Sequence, residues 1–74
     1  MTNVEFARRV GCSPSMASRL INGHRLPGIE MTQRISEEFR IPLKALLEAR
    51  REGAGASGAL IRQRLRIERE HTAA

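Results

Sequence analysis

Apolar residues recur at helical spacing from the start of the chain. Val4, Ala7 and Val10, with Phe6, supply apolar positions at helical spacing, and Thr2 and Glu5 have the spacing of a capping box, so a short helix is predicted from near Asn3. Gly11 supplies the left-handed conformation that stops it. Ser13 followed by Pro14 is the next start signal: Ser caps well, and Pro is tolerated at the first helical position, where its missing amide costs nothing. A second short helix therefore runs to Ile21. Asn22 and Gly23 end it, and the Gly, Pro and Asn content through Pro27 and Gly28 predicts a loop.

From Ile29 the apolar positions Ile29, Met31, Ile35 and Phe39 return near the helical period, while Glu30, Arg34, Glu37, Glu38 and Arg40 take the outer face. This third helix is punctuated by Pro42, and Leu43, Leu46, Leu47 and Arg50 predict a fourth that closes a core. Residues 53–58, Gly-Ala-Gly-Ala-Ser-Gly, have the composition of a flexible linker. Leu60, Ile61, Leu65 and Ile67 then sit among Arg62, Arg64, Arg66, Arg69, Glu68 and Glu70, which predicts a last, basic helix. The expected organisation is a domain over residues 1–52, a linker over 53–58 and a C-terminal helix over 59–74, an all-α bundle of about five short helices.

Seventy-four residues make one small domain, which buries a modest share of its surface and gains from a partner subunit. Lys and Arg number 13 against 8 acidic residues, every one of them Glu. The excess is spread along the chain, eight basic against five acidic residues through Arg50 and five against three beyond. A basic surface suits a polyanion, although charge alone also describes an ordinary solvated surface. The single cysteine, Cys12, cannot form an intramolecular disulfide, and His24 and His71 give no zinc-ligand spacing, so no metal is expected. With no Asp, no Tyr and no glycine-rich phosphate loop, nothing assembles a catalytic or cofactor site. The opening residues lack a basic stretch followed by an apolar run, and no segment reaches membrane-spanning length; a cytoplasmic, reducing setting is expected.

Two short helices joined by a glycine turn are what a helix-turn-helix needs, since the first braces the second across the DNA backbone. Ala7, Val10, Gly11, Ala17 and Leu20 resemble the signature of the phage Cro and lambda-repressor superfamily, the Xre-type regulators. The likeness continues through Asn22, Gly23, Leu26, Pro27, Ile41, Pro42, Leu43, Leu46 and Leu47.

The resemblance implies a lambda-repressor-like bundle, double-stranded DNA as partner, and residues 13–21 as the recognition helix in the major groove. Base readout then falls to Ser13, Pro14, Ser15, Ser18 and Arg19, with Arg19 the side chain whose fork can hold a guanine edge. Pro14 stands where the family commonly carries a polar reader such as Gln; thymine-methyl contact and a plain helix start are both open for it. Phosphate contact is the implied role of Asn22, His24 and Arg25 on the following loop, and of Arg8 or Arg9 before the turn. Cys12 occupies a place usually aliphatic, which reads as a small buried hydrophobe.

The family opens with a further helix ahead of this pair, whereas this chain starts at the second one. The C-terminal helix resembles that missing helix in pattern, even to His71 and Thr72, and three roles are open for it: filling the gap in its own chain or in a partner, forming a separate dimerisation helix, or trailing as a basic tail. The resemblance implies a Cro-like repressor that binds a pseudo-palindromic operator as a homodimer. An antitoxin whose tail binds a toxin, and an anti-repressor module that kept the fold for protein interaction, are the alternatives.

Overall fold

The computed structural model describes residues 3–73, and side chains through Ile67. Five helices follow one another: α1 (Asn3–Val10), α2 (Pro14–Ile21), α3 (Ile29–Phe39), α4 (Leu43–Glu52) and α5 (Ala54–Ala73). Among the described residues no strand is present. The expected starts and stops of α1 to α4 are the observed ones, and each has a local cause. Gly11 adopts φ +77° and donates its amide to the Ala7 carbonyl at 2.8 Å, closing α1. The Ser13 hydroxyl accepts from the Met16 amide at 3.2 Å with Pro14 in the first turn, opening α2. Thr2, half of the expected capping box, lies outside the described residues.

Phe6, Ala7 and Val10 from α1, Ala17 and Leu20 from α2, Ile35 and Phe39 from α3, Ile41 from the connection to α4, and Leu46 from α4 form one core. Phe6 and Phe39 stack with centroids 5.2 Å apart, joining the two ends of this helix set. Ile61 of α5 belongs to the same core and is 1% exposed.

That last residue corrects the expected linker. Residues 54–58 are the opening turns of α5, which packs across α4 and α2 of its own chain. The radius of gyration, 11.2 Å, is what a single compact chain of this length has, about 11 Å, so α5 is docked and does not trail. The physical reason lies in what the small residues face. A Cβ at Gly58 would stand 2.6 Å from the Gly23 nitrogen and 3.0 Å from the Ile21 carbonyl oxygen, and a Cβ at Gly23 would stand 3.0 Å from the Gly55 Cα. Glycine at these positions lets α5 lie directly on the backbone that ends α2. Ala54, Ala56 and Ala59 meanwhile favour helix strongly. Composition that elsewhere means flexibility here means close approach.

Candidate nucleic-acid interface

Because α1 ends and α2 begins within three residues, the pair is locked at a fixed angle, and the buried stripe of α2 is short: Ala17 and Leu20 face the core. Met16 and Ile21 are half-buried against the same core, and the opposite side is left to solvent. Pro14, Ser15 and Arg19 are exposed, and Ser18 is half-buried. Arg19 engages no described residue, so its guanidinium is free to take a base edge. Ser13 is exposed too, but its hydroxyl already serves the Met16 amide.

Directly after α2, the Asn22 amide donates to the Ser18 carbonyl at 3.0 Å, while its side-chain nitrogen lies 3.3 Å from the Ser18 hydroxyl. Asn22 thus caps the helix through its backbone amide, while its side chain tethers the Ser18 hydroxyl. Gly23, at φ +75°, turns the chain so that His24 and Arg25 stand exposed beside the end of α2. Of the ten sequence-predicted residues, Ser13, Pro14, Ser15, Ser18, Arg19, Asn22, His24 and Arg25 therefore occupy one continuous stretch on and just beyond a single helix.

Arg8 and Arg9 part company. Arg9 places its guanidinium 4.2 Å from the centre of the Phe39 ring, donates to the Glu38 carbonyl at 2.6 Å and pairs with the Glu38 carboxylate at 3.5 Å. Its charge is spent on the end of α3. Arg8 is exposed in a shallow cleft with Arg34, Glu37 and Glu38.

The use of Arg9 is one instance of a wider pattern. Arg62 donates to the Ile21 carbonyl at 2.6 Å and Arg64 to the Phe39 carbonyl at 2.7 Å, so α5 caps the C-terminal ends of both α2 and α3. Arg34 reaches the Val10 carbonyl at the end of α1 at 3.5 Å, and Arg50 donates to the Pro27 carbonyl in the loop at 2.7 Å. The last carbonyls of a helix lack internal partners and carry partial negative charge, which a guanidinium answers on both counts. Five arginines that composition counts toward a polyanion thus hold helix ends and a loop. Sequence reasoning missed this role, since each partner lies more than twenty residues away.

Cys12 is half-buried against the core, and burial pushes its thiol pKa up, so it is a protonated packing group. Among the described residues no cluster of His, Cys or Glu could hold a metal ion, and no helix is long and apolar enough to cross a membrane.

The helix-turn-helix family model matches residues 1–46, from the start of the chain into α4, more than half its length. The chain belongs to the helix-turn-helix family of Xre-type, Cro-like and lambda-repressor-like regulators. Neither curated proteins nor solved structures give a match. The match makes this chain a DNA-binding helix-turn-helix regulator. The match stops short of α5, so the helix that braces the end of α2 is an addition to the matched region.

Proposed function

We propose that this helix-turn-helix protein is a sequence-specific repressor, acting as a homodimer on a pseudo-palindromic operator where DNA is accessible in the cytoplasm. The observation that carries the reading is the division of labour along α2: Ala17 and Leu20 are buried, whereas Ser15 and Arg19 stand exposed and Arg25 follows just past its end. Arg19 reads a base edge, Ser15 and Ser18 make short contacts to base or phosphate, and Pro14 offers an apolar edge. Arg25, His24, Asn22 and Arg8 hold the backbone. Repression follows where the operator overlaps a promoter.

Selection from random duplex DNA tests this reading, with enrichment of a two-fold symmetric site as the expected result. Arg19→Ala should then relax preference at one position per half-site by about 1 to 3 kcal/mol. No enriched sequence at low salt would sink the proposal.

A further inference from the structure

The two ends of α2 are held by different parts of the chain. At its start, the Ser13 cap and the turn at Gly11 tie it to α1, and Arg34 ties that turn to α3 through the Val10 carbonyl. At its end the support comes from α5, which lies outside the matched residues 1–46. Arg62 bonds the Ile21 carbonyl at 2.6 Å, and Gly23 is seated against the first turns of α5. A Cβ on Gly23 would stand 3.2 Å from the Ala54 carbonyl oxygen, and one on Gly58 would stand 2.8 Å from the Gly23 Cα. Backbone rests on backbone here, with no side chain between to give way.

That end of α2 controls what the helix presents. Ala17 and Leu20 seat its middle, and the angle of its end is left to α5. An eight-residue helix is roughly 12 Å long, so a shift of about 1 Å at Ile21 tilts it by roughly 5° and carries Arg19 by roughly 0.7 Å. A binding constellation that reads one base edge tolerates about 0.5 Å. The turn at Gly23 moves with the helix end, and His24 and Arg25 leave from that turn.

We propose that α5 sets operator preference: Arg62 and Gly58 are positioning residues that hold α2 and the Gly23 turn at the angle at which Arg19 and Arg25 engage DNA together. Both act through α2 and not on DNA. This rests on the sequence-specific reading above and adds that the preference depends on a helix beyond the matched region.

Arg64 supplies the matched control. It leaves the same helix two residues later and donates to the Phe39 carbonyl at the end of α3, so Arg64→Met removes the same charge and the same kind of bond without touching α2. Wild type, Arg62→Met, Arg62→Lys and Arg64→Met, each shown folded by circular dichroism at the working temperature, are titrated by fluorescence anisotropy. The probes are the duplex enriched by selection and a shuffled duplex of the same composition. Arg62→Met should lose about tenfold of its preference for the enriched duplex, while binding the shuffled one as Arg64→Met does. Arg62→Lys, which keeps a charged donor, should recover most of that preference. Arg64→Met should keep the wild-type preference however far its unfolding midpoint falls. Amide hydrogen exchange on the free protein gives a second readout: the Gly23 and His24 amides, bonded to the Leu20 and Arg19 carbonyls, should exchange faster in Arg62→Met alone. Preference lost equally in both Met variants, or kept in both, overturns the positioning role and leaves the repressor reading standing. A wild type that prefers no duplex overturns both.

Discussion

Two glycines three residues apart, equal in the sequence, are unequal in the structure. A Cβ on Gly58 would press on Gly23 and Ile21 backbone, which cannot swing aside as a side chain can, whereas a Cβ on Gly55 meets nothing within 4 Å. Gly58→Ala should therefore destabilise the fold by about 1 to 3 kcal/mol through overpacking. Gly55→Ala, at a helical position with open space, should stabilise it by about 0.5 to 1 kcal/mol. Chemical denaturation of the two variants checks both signs at once, and a flexible linker would leave both near zero. Between the two, Ser57 is 1% exposed and its hydroxyl finds no hydrogen-bond partner among the described residues. Burying that oxygen unmatched is a cost that Ser57→Ala removes, so its denaturation midpoint should rise by the equivalent of about 1 kcal/mol. None of this is visible in residues 53–58 alone, because the decisive neighbours, Ile21 and Gly23, stand more than thirty residues earlier.

At the scale of elements, α1 to α4 were legible because their boundaries are written locally: Gly11 needs a left-handed backbone, Ser13 and Pro14 open α2, and Pro42 separates α3 from α4. Which face of α2 stays exposed was legible for the same reason, since burial of Ala17 and Leu20 fixes the side that remains. The docking of α5 was not, because it depends on contacts at long sequence separation, and among these Ile61 carries the most weight. It is fully buried in the core shared with α1 to α4, and α5 also supplies Arg62 to the last carbonyl of α2 and Arg64 to that of α3. Ile61→Ala should cost about 2 to 5 kcal/mol by losing buried surface and leaving a cavity. In a domain whose total stability is on the order of 5 kcal/mol, that is most of it. Thermal unfolding followed by circular dichroism should show a single transition moved sharply downward for the whole molecule. Loss of helix from α5 alone, with the α1 to α4 transition unmoved, would instead make α5 an appendage.

Across the whole molecule, the net charge of +5 is not all equally free to grip DNA, because Arg9, Arg34, Arg50, Arg62 and Arg64 already donate to backbone carbonyls. On the proposed reading, the phosphate contacts fall to exposed arginines without such a carbonyl bond, Arg8 and Arg25. Each lysine or arginine that neutralises a phosphate releases condensed counterions, so the logarithm of the binding constant falls linearly with the logarithm of salt, with a slope near −0.9 per contact. Arg25→Ala should thus weaken binding to all sequences alike and make that slope shallower by about one unit. Arg62→Ala removes a charge from the same side of the molecule, but one held by the Ile21 carbonyl. It should leave the slope within error of wild type and lower stability instead, through the uncapped end of α2. Fluorescence anisotropy across a salt series, with unfolding measured on the same samples, separates the two arginines. Equal slope changes for both would mean that the basic surface acts on DNA as one diffuse charge, and that the capping geometry gives no guide to which arginines touch phosphate.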